Sequence, residues 1–258
     1  YYEFNLNQDV TTLFVDPKVR QAFMWALDRE SIVNDVLLGY GEVANGTQPK
    51  ISPGYAPDEM STTYGYDPEM AKSLLAEAGW TDTNGNGIVD KDGQEMSFEF
   101  LYAAGVATND SIVAYLQDAW KAIGIEIQPN ALEFSALIEA TTTNLDWRMA
   151  LYGFSWDATF IQDVMFGTDQ YQVGFNDMKY SNPHLDETFA QTKREFDPEK
   201  RRALLVEAAN IVNEEQPVGI LYFAKTIDAW STRVHNINPG AWTSPLQSQT
   251  YVGAWVDA

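Results

Sequence analysis

The chain has 258 residues, 45% of them hydrophobic and 21% charged, with 37 acidic against 16 basic side chains and a formal net charge of -21. That is the composition of a folded surface rather than a disordered acidic tail, and its basic residues form no stripe, which argues against nucleic acid and anionic membrane surfaces as partners. The absence of cysteine excludes disulfides and thiolate chemistry, and no stretch approaches the roughly 18 to 20 apolar residues of a membrane span.

Tyr2, Phe4 and Leu6 alternate with Glu3, Asn5 and Asn7, the period of a strand with one buried face. Residues 1–9 are not a signal peptide, so this opening strand reads as the edge of a piece cut from a longer chain. Asp16-Pro17 then gives an N-cap followed by a proline at the first helical position, where a missing amide hydrogen costs nothing. The predicted helix carries Val19, Ala22, Phe23, Ala26 and Leu27, and Asp28 starts a second with Ile32, Val33, Val36 and Leu37 on its apolar face before Gly39. A long irregular stretch follows from Tyr40 to Tyr66.

Asp67-Pro68 repeats the start signal for a helix with Ala71, Leu74, Leu75 and Ala78 on its buried stripe, stopped by Gly79. Phe98, Phe100 and Tyr102 alternate as a strand, the segment Asn109 to Ile123 reads as a helix, and Ile125 and Ile127 begin a second strand after Gly124. Strand, helix, strand is the order of a crossover unit covering one face of a sheet. A helix is expected from Phe134 to Thr141 and a strand from Trp147 to Tyr152, before a glycine-rich, aromatic and acidic stretch from Gly153 to Tyr180. Helices started by Asn182-Pro183 and Asp197-Pro198 follow, then strands over Val218 to Phe223 and Ala229 to Val234 and a short one within Tyr251 to Val256. The whole is predicted to be one mixed α/β domain over residues 1–258, with a small irregular subregion around 40–66.

The loop from Asp82 to Asp90 has the spacing of a calcium loop, with oxygen donors at Asp82, Asn84, Asn86 and Asp90, a glycine at Gly87 and a backbone carbonyl from Ile88. Its twelfth position is Gly93 where a bidentate glutamate is usual, so a tight polar connection made by Asn-Gly steps is the alternative. No other cofactor is indicated. The two histidines, His184 and His235, belong to no zinc spacing or nucleophile motif, and there is no phosphate loop. Tyr55, Tyr64, Trp156, Tyr171, Tyr180 and Trp242 fall in apparent loops, where aromatic area suits peptide side chains or sugar faces, whereas Trp25, Trp120 and Trp147 are expected in the core.

Several segments in order resemble one family. Val15-Asp16-Pro17-Lys18-Val19-Arg20-Gln21-Ala22 with Ala26-Leu27-Asp28-Arg29-Glu30 looks like its most recognisable helix pair, and Tyr66-Asp67-Pro68 with Ala78-Gly79-Trp80 like the next. Trp120-Lys121 with Ile123-Gly124-Ile125, and Tyr180-Ser181-Asn182-Pro183 with Leu185-Asp186, extend the match over nearly the whole chain. The family is the extracellular solute-binding proteins of oligopeptide and dipeptide ABC importers, solute-binding protein family 5, and the similarity is to the second, C-terminal lobe.

The resemblance implies a mixed-sheet α/β lobe of the periplasmic-binding-protein-like type II fold, without enzymatic activity. It implies a solute held between this lobe and a first lobe in cis, the two closing as a hinged clamp. The expected partners are a peptide or oligosaccharide solute and the membrane ABC permease subunits, and the expected protein is a periplasmic or extracellular monomer, membrane-associated as a bacterial lipoprotein. Asp157, in Gly153-Phe154-Ser155-Trp156-Asp157, matches the aspartate that faces the ligand's amino terminus; Phe154, Trp156, Phe175 and Asn176 are the other expected contacts. Phe154, Ala158 and Gln162-Asp163-Val164 depart from the usual peptide-binder pattern, which keeps an oligosaccharide open as the alternative solute. A secreted carbohydrate-processing enzyme would need two carboxylates across a groove, and an adhesion or signalling module could keep the same fold.

Overall fold

The computed structural model describes residues 1–156, 159–225, 227, 229–237 and 253–256. Strand β1 (Tyr2–Phe4) leads to α1 (Pro17–Trp25), a short α2 (Arg29–Ser31) that widens into a π-helical turn (Ile32–Val36), and β2 (Gly41–Val43). Helix α3 (Pro68–Glu77) precedes a small hairpin, β3 (Asp90–Lys91) and β4 (Gln94–Glu95), and then the crossover unit β5 (Ser97–Ala103), α4 (Ala107–Lys121) and β6 (Glu126–Leu132). Helix α5 (Phe134–Glu139), strand β7 (Met149–Leu151) and helices α6 (Asp163–Phe166), α7 (Pro183–Thr192) and α8 (Pro198–Glu215) follow. Strands β8 (Val218–Gly219), β9 (Tyr222–Ala224), β10 (Val234–His235) and β11 (Trp255–Val256) complete the described elements.

The proline-led starts work through local chemistry. Asp16, Asp67, Asn182 and Asp197 each stand at the N-cap and accept backbone amides of the first turn, from Lys18, Met70, His184 and Leu185, and Glu199 and Lys200 respectively. Those bonds satisfy amides that no earlier carbonyl can reach, while the proline has no amide hydrogen to satisfy.

The main sheet has the order β6-β5-β7-β1-β8. β5 runs parallel to both β6 and β7, and β1 lies antiparallel between β7 and β8. Alternation along the strands divides two cores between its faces. On one, Tyr2, Phe4, Phe98 and Phe100 meet Phe23 of α1, Leu75 of α3 and Trp120 of α4. The Trp120 indole donates to the Phe23 carbonyl at 3.0 Å, so its polar atom is satisfied inside the core. On the other, Leu101, Ala150 and Val218 meet Leu137, Phe166, Leu185 and Leu205 of the later helices. The result is a three-layer helix, sheet, helix arrangement.

Several boundaries differ from the sequence reading. The strand expected over Val218 to Phe223 is interrupted at Ile220-Leu221: β8 joins the main sheet, while β9 pairs with β2 inside the stretch read as irregular. Of the strand expected from Ala229 to Val234 only Val234 is extended and paired, with Val256. Tyr64 and Tyr180, read as loop aromatics, are buried, because each loop folds back on the end of α8: Tyr64 donates to the Asn213 carbonyl and Tyr180 to the Glu215 carboxylate. Trp120 and Trp147 are core residues as expected, and Trp242 lies outside the described residues.

Candidate functional site

In an open α/β sheet, ligands gather beyond the carboxyl ends of the strands, where connecting loops fan out from a rigid edge. Here β5 and β7 end together, at Ala103 and Leu151, and the antiparallel β1 brings its beginning, Tyr1, to the same edge. A cavity of about 250 Å3 opens there, with Tyr1, Ala103, Asn109, Phe134, Tyr152 and Gly153 among its walls. The Tyr152 amide donates to the Tyr1 carbonyl at 2.9 Å, extending the pairing of β1 and β7 to the rim. The rings of Tyr1 and Tyr152 lie 6.4 Å apart.

The segment leaving β7 carries the expected aromatic contacts. Phe154 packs on Trp156 at 4.8 Å between ring centroids and meets Phe175 edge-on at 5.0 Å, and Trp156 lies 6.3 Å from buried Phe166. Phe154 and Trp156 are half-buried and Phe175 is exposed, so the structure brings these three together as one surface cluster anchored on the core. Asn176 has a different position. It is fully buried, its Oδ1 accepts the Tyr180 amide at 3.0 Å, and its Nδ2 donates to the carbonyls of Gly167 and Tyr180. Its amide is spent on holding the loop that presents Phe175, which removes it as a direct side-chain contact. Asp157 lies outside the described residues.

Two carboxyl groups that the sequence reading passed over lie close to Tyr1 and Tyr152 at the rim. Glu3 is 1% exposed and its Oε1 has no hydrogen-bond partner among the described residues. Burial raises its pKa well above the usual carboxylate range, and the nearby Asp177 carboxyl adds to the rise. Burial also raises Asp177 itself. A desolvated carboxyl favours a proton or a cationic partner, because an unpaired buried charge is costly. Alternation with one buried face would have put Glu3 towards solvent; it is buried because helices cover both faces of the sheet, whereas residues just past strand ends were the signal for Tyr152 and Phe134.

In the loop from Asp82 to Asp90, Asp82 accepts the amides of Gly85, Asn86 and Gly87, Asn84 accepts that of Asn86, and Asn86 accepts that of Ile88. Asp90 is held by the amide and hydroxyl of Thr83. Glu95, on β4, takes Nδ2 of Asn86 at 2.7 Å and of Asn84 at 3.2 Å, so a carboxylate closes the loop where the sequence has Gly93 at the twelfth position. Among the described residues no group of three or more His, Cys, Asp or Glu is gathered as for a metal ion; the donors here are largely amide and main-chain oxygens.

The layered α/β architecture, with its loops and aromatic cluster at one sheet edge, is that of a lobe of the periplasmic-binding type II fold. Residues 1–161 match the family model described as bacterial extracellular solute-binding proteins, family 5 Middle, and the chain belongs to that family. The oligopeptide-binding protein AppA of Bacillus subtilis (strain 168) is 37% identical over 212 residues, which cover 82% of this chain and 39% of that protein. Protein XP55 of Streptomyces lividans is 33% identical over 190 residues, 73% of this chain and 34% of that one. The structure of AppA from Bacillus subtilis in complex with a nonapeptide aligns with 100% of this chain and 50% of its own, at 32% identity and a TM-score of 0.85. A mannohexaose-bound oligopeptide-binding protein from Thermotoga maritima aligns at 21% identity and a TM-score of 0.78 over 91% of this chain and 46% of its own, a likeness of fold alone. The chain thus spans well under half the length of these curated relatives. No helix among the described residues is long and apolar enough to cross a membrane.

Proposed function

We propose that residues 1–258 act as one lobe of an oligopeptide receptor serving an ABC importer, binding its solute reversibly and without turnover between this lobe and a second one. The observation that carries the reading is the likeness over the full chain to an oligopeptide-binding protein whose structure holds a nonapeptide. The sheet edge described above supplies matching chemistry: a half-buried aromatic cluster for side chains and desolvated carboxyls that favour a cationic group. Phe154, Trp156, Phe175 and Asp157 are the proposed contacts, and Asn176 positions the loop behind them. The proposed setting is the periplasm or cell exterior, with permease subunits as partners.

The test is native mass spectrometry and calorimetry on the full-length protein that carries this chain, with a nonapeptide and mannohexaose as probes. Peptide binding without hydrolysis is expected. Tight mannohexaose binding with no affinity for peptides would replace the peptide reading, and conversion of either probe would overturn the receptor reading.

For the loop from Asp82 to Asp90, the proposal is calcium held by Asp82, Asn84, Asn86, the Ile88 carbonyl and Asp90. Asp82 Oδ2, Asn84 Oδ1 and Asn86 Oδ1 each accept a single amide and keep a second lone pair, and Glu95 brings a further carboxylate to the loop.

A further inference from the structure

A small cavity of about 20 Å3 lies in the seam between the irregular segment 40–66 and the end of α8, and it shares no lining residue with the cavity at the sheet edge. Thr47 and Gln216 line it, 2% and 4% exposed, and neither Thr47 Oγ1 nor Gln216 Oε1 has a hydrogen-bond partner among the described residues. Gln216 stands at the C-cap of α8 with φ of 46°, a left-handed conformation that favours glycine. Its Nε2 donates to the Asn213 carbonyl at 2.8 Å, which fixes the amide's orientation and leaves Oε1 as an acceptor in need of a donor. A buried polar atom without a partner is costly, and here there are two on one cavity.

Charge and size narrow the occupant. Arg29 is the one charged side chain in the lining, and its Nη atoms already donate to the carbonyls of Ala44, Ile220 and Tyr64 and to Asn45 Oδ1. An anion there would meet the lone pairs of Gln216 and of those carbonyls. The occupant must be neutral, must both donate and accept, and must fit a space that admits one water molecule and nothing larger.

We propose that this cavity binds a single structural water, which accepts from the Thr47 hydroxyl and donates to Gln216 Oε1. The water ties the segment carrying Thr47 to the end of α8, and it gives a reason for glutamine to hold a position whose backbone suits glycine. The site is independent of the solute that the lobe holds.

The experiment uses the full-length protein that carries this chain. Its crystal structure, at a resolution that orders internal solvent, is expected to show one peak within hydrogen-bonding distance of both Thr47 Oγ1 and Gln216 Oε1, with no anomalous signal after a bromide soak. An empty cavity, or bromide in it, overturns the assignment. A double-mutant cycle read by thermal unfolding tests the same link in solution. Thr47→Val and Gln216→Met should each lower the melting temperature by a few degrees, because each leaves the other atom buried without a partner. The double variant should fall no further than the worse single one, and Thr47→Ser, which keeps the hydroxyl, should stay close to the parent. Strictly additive losses would mean that no water joins the two side chains.

Discussion

The ring of Tyr2 occupies the space that a side chain at residue 219 would need: a Cβ on Gly219 would stand 2.0 Å from Tyr2 Cζ and 2.3 Å from its hydroxyl oxygen. The two residues are register partners in β1 and β8, and Tyr2 is fully buried against Trp120 on the other side. Gly219→Ala should therefore destabilise by about 1–3 kcal/mol through forced repacking. Urea unfolding reads this as a lowered midpoint at unchanged slope. A neutral substitution would mean that the ring can move.

Arg20 sits where α1 meets the end of α8. Its guanidinium donates to the carbonyls of Phe14, Val15, Glu215 and Gln216, and burial lowers its pKa to about 10. A cation at a helix C-terminus meets carbonyls that no later amide can satisfy. Arg20→Met should cost about 2–4 kcal/mol by stranding those carbonyls, and Arg20→Lys should recover little because an ammonium cannot span the same fork. Chemical denaturation of both variants would check the ranking.

Glu3 and Asp177 give a pH dependence with a definite sign. Burial raises both carboxyls in the folded state, so the folded chain holds their protons more tightly than the unfolded one. The Glu3 contribution to stability is fully present below the ordinary glutamate value of 4.5, that of Asp177 below the ordinary aspartate value of 3.8, and each is lost as pH rises from there towards its folded value. Glu3→Gln should raise the melting temperature at pH 7, and the gap between variant and parent should close as pH falls towards 4. A gap independent of pH would show that Glu3 is not the titrating group.

Trp156 is half-buried and in contact with Phe154, so its fluorescence should report solute binding. Trp156→Ala is expected to weaken peptide affinity about tenfold or more, as for an aromatic residue central to an interface. Asp157→Asn should weaken peptides with a free amino terminus while leaving amino-acetylated ones unchanged. Equal losses for both would remove the ammonium from its assigned partner.

If the loop from Asp82 to Asp90 holds calcium, millimolar calcium should raise the melting temperature by a few degrees over a chelator, and Asp82→Ala should abolish the shift. A hundredfold excess over Kd corresponds to about 2.7 kcal/mol. No shift in the parent protein would leave the loop as a turn closed by its own hydrogen bonds.

Much of the architecture was legible because its signals are local. Four Asp/Asn-Pro steps start four helices through caps that need no tertiary partner. Gly79 and Gly124 end helices with positive φ of 87° and 84°, where a side chain would be strained. What escaped the sequence depends on distant pairing. The three residues of β2 are extended only because β9 lies beside them, and Tyr64 and Tyr180 are buried only because α8 ends nearby. The site followed the same division. The aromatic cluster after β7 was readable as a motif, whereas the cavity beside it exists only once β5, β7 and β1 meet, and Asn176 read as a contact because its three internal bonds are invisible in the sequence.

The place of β1 in the sheet also sets a timetable for synthesis. Its partners, β7 and β8, follow roughly 150 and 215 residues later in the chain, so within this sheet the strand earliest in sequence is among the last to be paired. At translation rates of about 5–20 residues per second, Tyr2 and Phe4 wait on the order of 10–30 s for β7, with both strand edges open and two large aromatic rings uncovered. The local crossover unit of β5, α4 and β6 can form meanwhile and offer a scaffold, but the early strand needs shielding until the sheet closes around it.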